Sequence, residues 1–441
     1  MRQKRQNRTT VTEANTEANT EANTEVNTKA ITEAMEDKKM KTLELKKDFF
    51  WTGIQDPDLE IFDIIMPTKY GTSYNSYLLK GSEKTALFET AKLNFLDEYM
   101  DKLQSLIQIK DIDYIIVNHT EPDHAGSCQK LLERNPEITV VGSQMAIAFM
   151  EEITNMKFKH IKICDGDTLS LGNKTLRFIN AVNLHWPDSI FTYIEEDKTL
   201  VTCDSFGAHY SYEKLLLSEM EKEGQEVRDG YIGQVKYYYD AIMSPFKAFM
   251  LKAIDRIKDL EIDMICPGHG VVLDKDPWKI VKLSQEWSRP KEANDKKLVV
   301  IPYVSAYGYT DSLAKEIEKG IKASGDIDVE IYDMVKADKE KVMERLLISD
   351  GMLFGTPTML GDALPPIWDL VMEMFPSICM GKPASAFGAF GWSGEGVPNI
   401  IDRLKQLRTK VYGEGLKIRF KPSEAQLEEA FEFGKGFGQQ V

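Results

Sequence analysis

Seven side chains in the first two-thirds of the chain have the chemistry of a two-metal centre. Four lie in the run Asn118-His119-Thr120-Glu121-Pro122-Asp123-His124. His185 stands in Leu184-His185-Trp186-Pro187-Asp188-Ser189, Asp204 follows Leu200-Val201-Thr202, and His269 stands in Cys266-Pro267-Gly268-His269-Gly270. His119, Glu121, Asp123, His124, His185, Asp204 and His269 offer enough donors for two ions, with one carboxylate, best Asp204, bridging them. Imidazole mixed with carboxylate suits iron. Glu121 is the telling residue, because a zinc hydrolase built on such a loop would favour another histidine there. His124 is the dispensable member, since the set suffices without it. His160 and His209 read as solvated or hydrogen-bonded histidines, and Cys128 and Cys203 as small buried thiols.

A second chemistry is written in three glycine-bearing loops near the other end. The first is Ser305-Ala306-Tyr307-Gly308-Tyr309-Thr310, where a strand gives way to a helix. Hydroxyls, a glycine and free N–H groups at a helix N-terminus suit a phosphate. The second runs through Thr356, Pro357, Thr358, Met359 and Gly361. The third runs through Gly388, Ala389, Phe390, Gly391, Trp392, Ser393 and Gly394. Ligands of open α/β sheets bind outside the carboxyl ends of the strands. Three such loops, with Tyr307 or Trp392 to pack on a flat ring, favour FMN. No G-x-G-x-x-G follows the first strand of this region, which disfavours a nicotinamide site.

These residues need elements to hold them. Tyr114-Ile115-Ile116-Val117 reads as a buried strand delivering the 118–124 loop. Strands at 176–182, 199–202 and 262–265 precede His185, Asp204 and His269, so every metal ligand falls where a strand ends, as a site at one rim of a β-sandwich requires. Hairpins are expected across 73–79 with 85–88 and across 191–194 with 199–202. Helices are expected over 93–108 and 245–260. The polar, proline-containing stretch 288–295 suits a domain boundary. Beyond it the pattern predicts strands at 298–304, 328–333, 351–355, 383–390 and 415–420. Helices at 310–324, 337–348, 365–375, 396–408 and 423–436 alternate with them, which implies a parallel sheet covered on both faces.

The chain has 441 residues, too many for one ordinary core. Residues 1–39 are expected to form a disordered tail, since the Thr-Glu-Ala-Asn repeat over 10 to about 35 puts no large apolar stripe on any face. Domains are then expected at 40–292 and 297–441. The net charge of −15 argues against nucleic acid and fits solubility or docking to a small complementary protein. Five scattered cysteines, none in a C-x-x-C pair, read as reduced thiols in a cytoplasm. No stretch is apolar and long enough to span a membrane, and no hydrophobic segment follows the basic Met1–Arg8.

The H-x-E-x-D-H run at 119–124, the L-H-W-P-D-S run at 184–189, Asp204, the G-H-G at 268–270 and the S-x-Y-G-x-T run at 305–310 together resemble the flavodiiron proteins, or A-type flavoproteins, over about residues 40 to 441. The resemblance implies an α/β protein: a metallo-β-lactamase-like αββα sandwich with a non-haem diiron site, then a flavodoxin-like doubly wound parallel sheet with FMN. It implies a cytoplasmic oxidoreductase that reduces dioxygen to water or nitric oxide to nitrous oxide, and a head-to-tail homodimer or dimer of dimers. By the same resemblance His119, Glu121 and His185 serve one iron, Asp123, His124 and His269 the other, and Asp204 bridges. Tyr193 matches a tyrosine lining the family's pocket, and Asp63 stands where some members have a histidine, with Lys69 in a nearby loop. No cysteine-ligated iron domain is read in the sequence, so a separate donor is expected, rubredoxin by resemblance. Two rival readings are a metallo-hydrolase fused to a flavodoxin domain, which Glu121 opposes, and a diiron gas sensor, which the complete flavin domain opposes.

Overall fold

A computed structural model describes residues 42–289, 296–374 and 376–441. The expected tail at 1–39 and most of the expected linker lie outside the described residues. The chain divides into two compact units between Ser288 and Arg289.

In the first unit a seven-stranded sheet runs in the spatial order Leu43–Lys46, Phe49–Trp51, Tyr77–Lys80, Thr85–Phe88, Tyr114–Val117, Thr139–Gly142, Lys159–Lys162. Its pairings are antiparallel up to Thr85–Phe88 and parallel thereafter. A five-stranded sheet runs Thr168–Ser170, Thr175–Asn180, Ile190–Ile194, Thr199–Cys203, Met264–Pro267. The two sheets pack face to face through one apolar cluster. Phe49, Trp51, Tyr77, Phe88 and Ile116 come from the first sheet, and Phe178, Ile190, Ile194, Val201 and Cys266 from the second. The period of two in a strand sends alternate side chains the other way. Ile179, Phe191, Tyr193 and Leu200 thus leave the second sheet on its outer face. There they meet Tyr231, Val235 and Tyr238 of helix Gln225–Tyr238, Met250 and Ile254 of helix Lys247–Ile257, and Ile280 of helix Trp278–Ser288. This is the expected sandwich with helices outside it.

Both hairpins form, as Tyr77–Lys80 with Thr85–Phe88 and Ile190–Ile194 with Thr199–Cys203. Ser73 and Tyr74, expected to begin the first hairpin, instead belong with Thr72 to a short strand that pairs with Ile54–Asp56. The chain breaks at Asn75 because its side chain is engaged three times. It accepts from Trp51 Nε1 at 2.9 Å and donates to the carbonyls of Pro267 and Gly270 at 2.9 and 3.0 Å.

In the second unit the parallel strands lie in the order Ile327–Asp333, Lys297–Tyr303, Gly351–Gly355, Pro383–Phe390, with Lys410–Val411 and Leu416–Arg419 both on the last. Numbered along the chain this is 2-1-3-4-5, a doubly wound order with its reversal beside the first strand. Alternation again divides the core. Val300, Met352, Phe354 and Ala384 face helices Lys339–Ile348, Pro365–Glu373 and Gly396–Gln406. Val299, Ile301, Leu353 and Phe387 face helices Tyr309–Ser324 and Glu424–Gly438. The expected elements are all present. The two-residue strand Lys410–Val411 is additional, too short for any periodicity to announce it. Among the described residues no helix is long and apolar enough to cross a membrane.

Helices Tyr309–Ser324 and Glu424–Gly438 touch backbone to backbone through glycines. A Cβ on Gly320 would stand 2.0 Å from the Phe431 carbonyl oxygen, and one on Gly434 would stand 2.2 Å from that of Ile317. Filling such a contact forces the helices apart. Gly320→Ala should therefore destabilise this unit by about 1–3 kcal/mol, read as an earlier urea midpoint for release of flavin fluorescence.

Candidate metal centre and flavin site

The four strand ends that carry ligands meet at one rim of the sandwich. The loop after Tyr114–Val117 is tied down at its root. Asn118 N–H donates to Glu89 Oε1 at 2.9 Å, and the Asn118 carbonyl accepts from Ile190 N at 2.9 Å. The first bond ties neighbouring strands of the first sheet, and the second links that sheet to the other. Burial pushes the Glu89 carboxyl up to about 8. Glu121 then caps a one-turn helix, Pro122–Ala125, with proline where a helix start tolerates it. Thr90 fixes that turn by donating from N and Oγ1 to the His124 carbonyl at 2.6 and 2.7 Å.

The donor atoms fall into two groups. His119, Glu121, His185 and Asp204 form one, Asp123, His124 and His269 the other, with the atoms of each within 4.8 Å of one another. Asp204 lies between them. Its Oδ2 is 2.9 Å from His185 Nε2 and 3.4 Å from His119 Nε2. Its Oδ1 is 2.9 Å from His124 Nε2 and 3.6 Å from His269 Nε2. One carboxylate thus presents one oxygen to each group, which is how a bridging ligand stands. Glu121 Oε2 completes the first group, 3.1 Å from His185 Nε2 and 3.2 Å from His119 Nε2. Asp123 Oδ2 completes the second, 3.1 Å from His269 Nε2.

Two rings are aimed from behind. His119 Nδ1 is 3.3 Å from both Asp188 oxygens, and Asp188 is itself held by Thr120 N and Oγ1 at 2.7 and 2.8 Å. His269 Nδ1 donates to the Ser73 carbonyl at 2.6 Å. Such bonds leave Nε2 free to ligate. Burial opposes ionisation of Asp204, yet the rings of His124, His185 and His119 hold its carboxyl well below the usual range. Glu121 is half-buried, and against that burial His119 and His185 hold its carboxyl at about 2. Both oxygens of the buried Asp123 lack a hydrogen-bond partner of good geometry. A buried carboxylate left so is costly unless a cation satisfies it. Anionic carboxylates with imidazole nitrogens suit two divalent ions of iron's kind.

Around the ligands stand further residues. His209 lies behind His269, its ring 4.8 Å away, with Nδ1 3.0 Å from Thr72 Oγ1. It is buried and hydrogen-bonded, one of the two states expected of it, and burial with His269 beside it keeps its pKa well below normal. His160, by contrast, lies on an exposed edge strand. Asp63 sits at positive φ in the turn joining Ile61–Phe62 to Met66–Pro67. Burial, then Glu121 and Asp123, raise its carboxyl, which places it beside the ligand set. Lys92 lies 5.5 Å from the Phe62 ring centroid and 5.4 Å from that of Tyr74, and it too acts on Asp63.

Tyr193 is elsewhere. Alternation puts it on the helix-covered face of the second sheet, and its hydroxyl donates to the Glu261 carbonyl at 2.6 Å. The charges acting on it are Lys198, Glu261, Arg177 and Asp263, none of them a ligand. Two tyrosines stand near the ligands: Tyr74, its ring 5.9 Å from that of His269, and Tyr238, its ring 4.9 Å from that of His209 and 6.0 Å from that of His269. The Tyr238 hydroxyl is raised by burial first and then by Asp204, Glu121 and Asp123.

In the second unit the three loops follow the carboxyl ends of adjacent parallel strands. Gly308, at φ 79°, makes the turn into helix Tyr309–Ser324, and Ser305 Oγ accepts from Asp311 N at 3.2 Å. Thr356 Oγ1 accepts from Leu364 N at 3.0 Å, and Thr358 Oγ1 from Gly396 N at 3.1 Å, which joins the second loop to the third. A Cβ on Gly388 would stand 1.7 Å from the Thr356 carbonyl oxygen, so only glycine allows that approach. Tyr307 and Trp392 are 78% and 94% exposed, leaving both rings free to cover a flat ligand.

The partition of ligands makes a quantitative expectation. Asp204→Ala should lose both irons, while Asp123→Ala should lose chiefly one. Asp188→Ala, which removes only the support behind His119, should weaken iron by about 10–100-fold. Iron per chain, measured at fixed chelator with FMN content as internal control, checks all three.

The comparisons with known proteins agree with this geometry. A family model described as ODP family beta lactamase matches residues 72–270, and one described as Flavodoxin matches 301–434. The flavo-diiron protein FprA2 of Clostridium acetobutylicum is 41% identical over 408 residues, covering 91% of this chain and 100% of that one. The nitric oxide reductase of Moorella thermoacetica is 31% identical over 392 residues, covering 88% and 95%. Among solved structures, the rubredoxin:oxygen oxidoreductase of Desulfovibrio gigas is 25% identical with a TM-score of 0.70, covering 90% and 98%. Two donor groups sharing one carboxylate, a flavodoxin-like sheet behind them in sequence, and likeness along nearly the whole length place this chain in the flavodiiron, or type A flavoprotein, family.

Proposed function

We propose that the protein reduces dioxygen to water, nitric oxide to nitrous oxide, or both, with electrons relayed through FMN from an external donor. The observation that carries this reading is Asp204, whose two oxygens face two separate donor groups. When bound, a diferrous pair and reduced FMN supply two electrons each, enough for the four-electron reduction of dioxygen, while coupling two nitric oxides needs two.

The chain's own residues do the rest. His119, Glu121 and His185 would hold one iron, and Asp123, His124 and His269 the other, with Asp204 spacing them. Ser305 to Thr310 would hold the FMN phosphate at the helix N-terminus, while the loops carrying Thr358 and Trp392 flank the ring. Phe62 and Tyr238 pack their rings against His209 and His269 and so wall one side of the ligand set. Asp63 sets a second carboxyl beside the ligands, its ionisation opposed by burial and by Glu121 and Asp123, and the Tyr238 hydroxyl can donate a hydrogen bond there. Glu121 disfavours the hydrolase reading, and the complete set of flavin loops disfavours a sensor that never turns over.

Rubredoxin is the donor we assign, since a relative of this architecture is named for it. A head-to-tail homodimer, alone or paired into a dimer of dimers, would bring the flavin of one chain to the irons of another, and a C₂ arrangement would do so twice. A cytoplasmic location fits the five free thiols.

Purified protein given rubredoxin, its reductase and NADH should consume dioxygen or nitric oxide, and side-by-side turnover ranks the two gases. Tyr238→Phe should lower turnover several-fold at unchanged iron and FMN content, and Tyr193→Phe should leave it unchanged. Zinc alone in freshly isolated protein, with no turnover of either gas, would end this reading.

A further inference from the structure

The protein carries a net charge of −15, yet Leu416–Lys421 holds three cations and no acid. Lys417, Arg419 and Lys421 are all exposed. Among the described residues none of the three makes an ion pair. Cations elsewhere in this unit are mostly held, as in Lys315–Asp311, Lys319–Glu316, Lys322–Glu318 and Lys336–Asp333. Neutralisation is therefore the habit of this surface, and this strand departs from it.

Its position gives the departure meaning. Strand Leu416–Arg419 pairs in parallel with Pro383–Phe390, so that Lys417 sits opposite Gly388 and Arg419 opposite Phe390. Phe420 N donates to the Phe390 carbonyl at 2.8 Å. The three cations thus stand at the same carboxyl rim as the flavin loops, next to the third of them. Lys417 Nζ lies 5.6 Å from the Phe390 ring centroid, and the Arg419 guanidinium 5.9 Å from that of Phe420. Phe420 is 56% exposed and Trp392 94% exposed. Glu395 feels the charge of Lys417 without pairing to it, and no ion pair holds Arg419 or Lys421 among the described residues. An apolar, aromatic centre with this positive charge beside it has the make-up of a transient protein interface.

We propose that Lys417, Arg419 and Lys421, with Phe420, form the docking surface for the electron donor, and that this donor is a small protein with an acidic face around its redox centre. The proposal rests on the reading that FMN is reduced from outside. Charge complementarity argues for the occupant. A donor acidic enough to match this rim is repelled by most of the remaining surface, so the local field both attracts it and orients it toward the flavin. The transfer needs no bond: one electron leaves the donor's metal for FMN per encounter, and two encounters with proton uptake from water complete the reduced flavin.

Stopped-flow reduction of the full-length, FMN-loaded protein by reduced rubredoxin tests this. With wild type, the second-order rate constant should fall at least tenfold between 20 mM and 500 mM salt, because screening shortens the reach of attraction (about 30 Å at 0.01 M, about 3 Å at 1 M). Lys417→Glu with Arg419→Glu and Lys421→Glu should lower the low-salt rate by tenfold or more and abolish or reverse its salt dependence. FMN content, oligomeric mass and photoreduction by a neutral deazaflavin should stay unchanged. The single variants should each show part of the effect, with Lys417→Arg restoring the wild-type rate. A wild-type rate insensitive to salt, or a triple variant reduced as fast as wild type, overturns the docking surface while leaving the enzyme reading intact. Loss of FMN, or a changed oligomeric mass, would assign the cations to flavin binding or to a second copy of this chain and also overturn it. Failure of any external donor to reduce the wild-type flavin would instead strike the functional reading itself.

Discussion

The constraint from which the rest follows is the placement of one buried carboxylate, Asp204, between two sets of imidazole and carboxylate donors. Three acids and four histidines packed together, all but Glu121 and His185 fully buried, would be untenable as isolated charges. They persist because each acid faces rings that favour its ionised form, and because their remaining valence suits divalent cations. The surrounding fold serves this arrangement. Strands from both sheets must end at the same rim, and bonds such as Ile190 N to the Asn118 carbonyl hold those ends in register. Behind the ligands, Asp188 and the Ser73 carbonyl set the rings, so that orientation is fixed before any ion arrives.

The second unit solves a different problem with the same economy of means. A parallel sheet in 2-1-3-4-5 order brings its loops to one edge, and those loops need only small residues and hydroxyls to receive a phosphate and a flat ring. Gly388 shows how tight this is, since even one carbon there would strike Thr356. The exposed rings of Tyr307 and Trp392 belong to the same edge, and the cations of strand Leu416–Arg419 border it.

Much of this was legible in the sequence for a physical reason. Each metal ligand follows a short apolar run, and a buried strand is the simplest cause of such a run, so strand ends and ligands could be located together. The alternating pattern after residue 297 was equally plain, because amphipathic helices and buried strands have different periods. What stayed hidden depends on tertiary direction. Tyr193 lies close in sequence to His185, but its strand carries it away from the rim and its parity turns it to the outer face. Tyr238 is one of three successive tyrosines on a helix, and only the packing of that helix decides which one meets the ligands. Asn75 breaks an expected strand because its partners, Trp51, Pro267 and Gly270, are remote in sequence. His209 was read as solvated or hydrogen-bonded, and only the fold decides between the two, since nothing local marks a histidine that packs behind another.

The ligands are also spread unevenly in time as well as space. A ribosome reaches His119 early, but the ring of His269 emerges only after some 150 further residues, and the second donor group is incomplete until then. A nascent chain therefore has no finished seat for a pair of irons until nearly all of its first unit has been made, whereas the flavin loops arrive later still. Maturation of this protein is thereby ordered by its own sequence: the sandwich can close and take up metal while the flavin half is still being synthesised, and the two cofactors need never compete for an unfinished chain.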